Sequence, residues 1–320
     1  MTTIDDIRAA ARRIAGRVHR TPVMTSATLD RELGARLFVK CENLQKVGAF
    51  KARGACNAVM ALSDEEAARG VVTHSSGNHA AALAYAARSR GVPAFVVMPD
   101  AAPAVKVDAV RSYGAELRFC PASEREATCE QWQRETGAVL VHPFEHPDVI
   151  AGQGTAALEL LEQAPDLDVV ITPVGGGGLC AATAVVVRSL LPRARMLAAE
   201  PEAVDDAARS MATGVRQPRV EGPETLADGL LTGLGAPNFE LLRRHAVEVV
   251  TCSEGAMIDA ARFFLQRMKL VVEPSGATVL ASIRAIADEV RGARVGMIVT
   301  GGNTDLRWLC GPEMCRMATS

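Results

Sequence analysis

The chain has 320 residues, 48% of them hydrophobic, and its 35 basic and 37 acidic side chains leave a formal net charge of −2. That length and apolar content allow a large buried core, in one big domain or two closely joined ones. The balanced charge leaves no electrostatic footprint for nucleic acid, and no run of like charges marks a tail or a polybasic membrane anchor, so small-molecule chemistry is the starting point.

The N-terminal stretch MTTIDDIRAAARRIAGRVHR mixes acids and bases on a helical pattern and has no apolar h-region. It reads as a helix, neither signal peptide nor membrane span, which sets the expectation of a cytoplasmic protein. Next comes KCENLQKVGAFKARGA, where Lys51 closes GAFK and a helical period runs on through GACNAVMAL. An amine at a helix start, near the positive dipole end and near Arg53, has its proton affinity lowered and becomes a usable nucleophile. A solvated lysine at a helix N-terminus fits the same segment.

Almost throughout the chain, apolar β-branched runs alternate with alanine-rich amphipathic stretches, the pattern of parallel strands covered on both faces by helices. Strands are predicted at Gly70–Thr73, Ala94–Met98, Glu116–Phe119, Ala138–Val141, Val169–Pro173, Arg195–Ala199, Ala246–Val250 and Val295–Val299. The class is α/β. The first of these strands leads into SSGNH, so that Ser75, Ser76, Gly77, Asn78 and His79 lie where backbone amides and short side chains can gather an anion such as a substrate carboxylate. Ordinary N-capping by Ser or Asn is the plainer account of the same residues. Units between 70 and 142, with Pro-bearing turns at Pro93, Pro99 and Pro103, precede the connection HPFEHPDVIAGQGT. This predicts a small domain, 70–142, inserted in a large one made of 1–69 and 143–320.

DVVITPVGGGGLCAATAVVVRSLLP is an apolar strand, four glycines and a helix. The free N–H groups of the glycine turn and helix start can surround a phosphate, aided by the helix dipole. A dinucleotide site competes, because Gly175 and Gly177 follow a strand and Glu200 ends the next one. Against it, Cys180 stands where the third glycine belongs. No Gly-Lys-Ser/Thr follows, which excludes a P-loop. Near the end, GMIVTGGNTDL places the Thr300 hydroxyl at a strand terminus before a glycine turn, where ligands bind in open α/β sheets. The eight cysteines are scattered with no Cys-x-x-Cys, and the six histidines show no metal-ligand spacing. They read as reduced, mostly buried thiols and structural or exposed imidazoles.

Taken together, RTPVMTS, KCENLQKVGAFKARGA, SSGNHAAALAYAA, HPFEHPDVIAGQGT, PVGGGGL, AAEPEAVDD, ETLADGL, RMKLVVEPSGA and TGGNTDL make the chain resemble the fold type II pyridoxal phosphate enzymes of the serine/threonine dehydratase and serine racemase group. The resemblance covers essentially the whole length. It implies a tryptophan synthase β-like fold with two open, twisted, mostly parallel sheets, a homodimer, and, with the sequence ending at residue 320, no C-terminal regulatory domain. By the same resemblance, Lys51 is the Schiff-base lysine of pyridoxal 5′-phosphate, with Phe50 on one face of the ring and Gly229 on the other. Asn78 bonds the ring hydroxyl, Gly175, Gly176, Gly177 and Gly178 the phosphate, and Thr300 the pyridine nitrogen. A serine is more usual at that last position.

A hydroxyl beside the pyridine nitrogen, unlike a carboxylate, does not favour a protonated ring, so loss of a β leaving group competes well. The expected activity is therefore dehydration and deamination of a 3-hydroxy amino acid to a keto acid and ammonia, with Lys51 removing the α-proton. L-Serine, L-threonine and 3-hydroxyaspartate all fit, the last needing a cation such as Arg125 for its second carboxylate. Ser76 matches a serine that in similar racemases lies opposite the lysine, which makes racemisation the alternative. A β-replacement synthase and a catalytically silent binding protein are weaker readings. In AAEPEAVDD, the resemblance implies a Mg²⁺ or Ca²⁺ site from Glu200, Asp206 and the carbonyl of Val204. An acidic loop of solvated charges is the plain alternative.

Overall fold

A computed structural model of the chain describes residues 1–309, except Ser76, Pro103 and the side chain of Val105. Its ten strands are β1 (Val23–Met24), β2 (Arg36–Cys41), β3 (Val71–His74), β4 (Ala94–Pro99), β5 (Glu116–Cys120), β6 (Val139–Leu140), β7 (Val169–Pro173), β8 (Arg195–Pro201), β9 (Glu248–Cys252) and β10 (Arg294–Val299). They form a six-stranded sheet, β1-β2-β10-β7-β8-β9, and a four-stranded sheet, β5-β4-β3-β6. Every pairing is parallel except the short edge strand β1 against β2. The α/β class with two mostly parallel sheets is the one expected.

Side-chain alternation builds the core. In β7, Val169 and Ile171 face one hydrophobic layer and Val170 the other, so both sides of the large sheet are covered by helices. The small sheet does the same: Val96 and Met98 pack against the alanine face of the helix Asn78–Arg90, whereas Val97 points toward Trp132. All eight predicted strands are present, Val169–Pro173 with both ends as predicted and the others with an end moved by at most two residues, as with Ala246–Val250, which runs instead from Glu248 to Cys252.

β1 and β2 were not predicted. The apolar run of β2, RLFVKC, is short and carries a charge at each end, yet Lys40 is fully buried. Its Nζ donates to Glu159 at 2.6 Å, to the Thr21 carbonyl at 2.8 Å and to Gln163 at 3.0 Å. Burial of a lysine requires such partners, and they come from elements that local pattern cannot see.

Two helices meet beside the site at unusually short range. A Cβ on Gly152, in the helix Pro147–Gln163, would sit 2.6 Å from the Cα of Gly54 in the helix Lys51–Ala61. Arg53 locks this crossing. Its guanidinium, completely buried, donates to both oxygens of Glu42 at 2.7 and 2.8 Å and to both oxygens of Glu159 at 2.8 Å. The end of β2 and both helices are thereby joined by bidentate charged hydrogen bonds.

Among the described residues no helix is long and apolar enough to cross a membrane. Cys41, Cys56, Cys120, Cys129, Cys180 and Cys252 are buried free thiols, as expected, while Cys310 and Cys315 lie outside the described residues.

Candidate active site

The C-terminal ends of parallel strands from both sheets open onto one cavity of about 650 Å³. Into it project Lys51 and Phe50, the loop after β3, the glycine run after β7, Gly229, and Thr300 at the end of β10. Residues separated by up to 250 positions are brought together by the rule that ligand sites form outside the carboxyl ends of such strands.

Lys51 is the first residue of its helix, and its Nζ donates to the Pro143 carbonyl at 2.9 Å. Burial lowers its pKa to about 8 from an ordinary 10.5. The expected contribution of Arg53 is corrected: that charge is consumed by Glu42 and Glu159, and removal from water is what depresses the amine. The Phe50 ring lies 5.2 Å from Nζ, and the Phe50 N–H donates to the Thr300 carbonyl at 2.9 Å. The lysine turn and the end of β10 are therefore stitched together directly.

Gly177 adopts a left-handed φ of 86° as it caps the helix Gly178–Leu190, and a Cβ on Gly176 would lie 2.3 Å from Cγ of the Phe144 ring. Among the described residues, none of the N–H groups from Gly175 through Cys180 finds a protein acceptor. Gly175 through Leu179 line the cavity as a glycine turn and a helix N-terminus with free donors, which suits a phosphate dianion. The competing nucleotide reading loses its acid: Glu200 is buried, and its carboxylate accepts from Ala207 and Ala208 N–H at 2.9 and 2.8 Å instead of facing the cavity.

In the loop after β3, Ser75 Oγ accepts from the Gly77 N–H at 3.3 Å, and Ser76 lies outside the described residues. His79 is buried with Nε2 at 3.1 Å from the Val141 carbonyl, and burial holds its pKa well below the ordinary value. A neutral His79 braces the loop. Asn78 begins the next helix with both ends of its amide fixed. Nδ2 donates to Glu273 at 2.9 Å, and Oδ1 accepts from Asn303 at 2.8 Å. Nδ2 also donates to the second Glu273 oxygen, at 3.3 Å. Burial raises the Glu273 carboxyl to about 7, with Asp228 adding to the effect.

Gly229 and Thr300 border the cavity from the large-sheet side. Gly229 N–H donates to Ser275 Oγ at 3.0 Å, and Thr300 is buried. Arg125 opens the helix Arg125–Thr136 and lines the cavity wall. Its Nε donates to the Ala122 carbonyl at 3.0 Å, and it has no ion-pair partner among the described residues.

Away from this cavity, Glu200, Val204 and Asp206 come together after β8. Asp206 accepts from Leu234 N–H at 2.8 Å. Burial pushes Glu200 up to about 8, and the nearby Asp206 carboxylate adds to the push. Neither carboxylate has an ion-pair partner among the described residues, where Arg209 pairs with Asp205. Two buried, mutually repelling carboxylates suit a hard cation. The described residues hold no cluster of three or more His, Cys, Asp or Glu side chains, so carbonyls and water would have to complete its shell.

Glu273, Asn303, Asn238 and Ser275 belong to this architecture and were not singled out from the sequence. VVEPSGA and TGGNTDL contain three of them, so the signal was proximity to a strand-end motif. Asn238 carried none.

A family model described as pyridoxal-phosphate dependent enzyme matches residues 14–301. The chain is 48% identical to a beta-hydroxyaspartate dehydratase of Paracoccus denitrificans, over 95% of this chain and 97% of that one. It is 46% identical to a serine racemase of Dictyostelium discoideum, over 95% of each. The crystal structure of a T.th. threonine deaminase superposes with a TM-score of 0.91 at 45% identity, covering 95% of this chain and 99% of that one. The tryptophan synthase β-like architecture implied by the sequence is the one these likenesses share. With a model match across most of its length and relatives near half identity, the chain belongs to the pyridoxal-phosphate dependent enzyme family.

Proposed function

We propose that the protein is an ammonia-lyase that dehydrates and deaminates a 3-hydroxy amino acid to a keto acid and ammonia, with 3-hydroxyaspartate as the substrate its cavity suits best. One observation carries this reading: a single cavity combines a cavity-facing amine of lowered pKa with a glycine run whose N–H groups have no acceptor, and a guanidinium that has no ion-pair partner, among the described residues. Bound pyridoxal phosphate supplies the electron sink for the charge left when the α-proton departs. Lys51 is the anchor for its aldehyde carbon and, once displaced, the base that takes that proton. Gly175 to Gly178 would hold the phosphate, Phe50 and Gly229 would flank the ring, the Asn78 amide would meet the ring hydroxyl, and Thr300 Oγ1 would serve the ring nitrogen. Ser75, Ser76, Gly77, Asn78 and His79 form the loop for the substrate's α-carboxylate.

Arg125 is proposed to bind the second carboxylate. A charged hydrogen bond of this kind contributes about 1.5–3 kcal/mol, so Arg125→Ala is expected to lower kcat/KM for 3-hydroxyaspartate by about 10- to 150-fold. L-Serine and L-threonine should change only a few-fold. Steady-state keto-acid formation from all three substrates tests this, and an equal loss on each removes Arg125 from the selective role.

Racemisation is the second reading. It is supported by the name of the Dictyostelium relative and by the serine at position 76 in the sequence. Chiral analysis of the amino acid remaining after partial turnover separates the two activities. The proposal also includes a small domain, 70–142, inserted in a large one, 1–69 and 143–320, because the four strands of the small sheet all fall within the inner segment. It further includes a Mg²⁺ or Ca²⁺ ion at Glu200, Val204 and Asp206, a homodimer, and a reducing, cytoplasmic setting to which six buried free thiols are suited.

A further inference from the structure

Asn238 is the third residue of the helix Ala236–Arg244 and is completely buried behind the glycine run. Its Nδ2 donates to two backbone carbonyls, Gly176 at 2.6 Å and Phe144 at 2.9 Å. Its Oδ1 is buried and finds no donor among the described residues. Leaving a buried amide oxygen unpaired costs on the order of 1–3 kcal/mol, and the reversed amide would set that oxygen against two carbonyl oxygens. The arrangement therefore keeps both amide protons in use at the expense of one acceptor.

The two carbonyls matter for where they point. In a trans peptide the C=O of one residue and the N–H of the next point in opposite directions. The Gly176 oxygen is drawn toward Asn238 and also accepts from the Gly235 N–H at 3.2 Å. The Gly177 N–H is thereby turned the other way. Flanked by residues without Cβ atoms, that peptide has little of its own to hold it, and rotation would present a carbonyl oxygen to an anion. Contact from behind limits the motion further, because a Cβ on Gly177 would lie 2.9 Å from the Cβ of Asn238. Phe144, whose ring occupies the space beside Gly176, is held through its carbonyl by the same amide.

We propose that Asn238 is a positioning residue that fixes the Gly176–Gly177 peptide plane, so that the glycine run offers N–H donors and no carbonyl to the cofactor's phosphate. This rests on the reading of that run as the phosphate site. The role is separable from general stability because it acts on one part of the ligand.

The full-length protein, purified as holoenzyme and stripped of cofactor, is titrated with pyridoxal 5′-phosphate and with pyridoxal, which lacks the phosphate. Wild type is expected to prefer the phosphorylated form. Asn238→Leu, of similar size with no hydrogen bonds, and Asn238→Asp, which lacks the donors, should each lose at least about tenfold of that preference, equivalent to 1.4 kcal/mol, with pyridoxal affinity unchanged. A preference kept in both variants overturns the role of Asn238 while leaving the phosphate site standing. Equal loss of both ligands also overturns it, as the mark of a merely structural residue. No preference in wild type removes the phosphate site and this inference together. If neither variant folds, amide hydrogen exchange of stripped wild type with inorganic phosphate decides: protection of the Gly177 N–H supports the role, and its absence overturns it.

Discussion

Lys51 shows how much a residue's chemistry depends on surroundings. The amine's pKa falls to about 8 in the cofactor-free protein because burial disfavours its charged form. For a base lowered from 10.5, the unfolded chain holds more protons between the two values, so stability of the cofactor-free protein rises with pH across that window and the burial penalty is full below it. The neutral, reactive fraction climbs from about one tenth at pH 7 to about one half at pH 8. Rebinding of pyridoxal phosphate to stripped protein, followed by stopped-flow absorbance, should accelerate about fivefold over that interval and level off above about pH 9. A rate indifferent to pH would remove Lys51 as the attachment point. Two residues along, Arg53 serves a different purpose. Its removal strands Glu42 and Glu159 in the interior, and Arg53→Met is expected to cost about 3–5 kcal/mol in urea unfolding. Pairing it with Glu42→Leu should recover a large part of that loss, since Lys40 still answers Glu159.

At the scale of elements, strand ends and helix starts make the site. Lys51, Asn78 and Gly178 each open a helix, so three positive helix ends face one cavity. These were legible because each motif is contiguous: a strand, a polar or glycine turn, a helix. The supporting contacts were not. Asn78 meets Glu273 across 195 positions and Gly176 meets Asn238 across 62, and no local period encodes a partner that far away. The turn after β8 is a similar case, with its carboxylates visible as AAEPEAVDD but their burial hidden. If that turn holds a divalent cation, chelation should lower Tm by about 5 °C, as expected for an ion present near 100 times its Kd. Mg²⁺ or Ca²⁺ should restore it, and Glu200→Gln should be blind to both. An unchanged Tm in differential scanning calorimetry would dismiss the ion.

Across the whole molecule, the cavity is lined by residues that follow strands of both sheets. Polar links from residues 70–142 to the rest of the chain include Asn78 with Glu273 and Asn303, and Lys106 with Asp228, beside the cavity, and Tyr85 with Arg17 and Arg90 with Val59, Ser63 and Asp64 away from it. A ligand held as proposed, by Lys51 and the glycine run on one side and by the β3 loop on the other, would add to those links. Stripping the cofactor should therefore speed amide exchange in β3, β4 and β5 more than in β7, β8 and β10, whose hydrogen bonds lie within the larger core. Uniform acceleration in both sheets would show that the ligand does not couple them.

The sequence by itself determined the α/β class, eight of the ten strands, the glycine cup and the lysine, because periodicity, turn chemistry and short motifs act over a few residues. Only the tertiary structure decided that Lys51 is lowered by burial and not by Arg53, that Glu200 turns away from the cavity, and that Lys40 belongs inside a strand. Each of those outcomes depends on desolvation and on charged partners contributed by distant elements, and both are set only when the chain has packed.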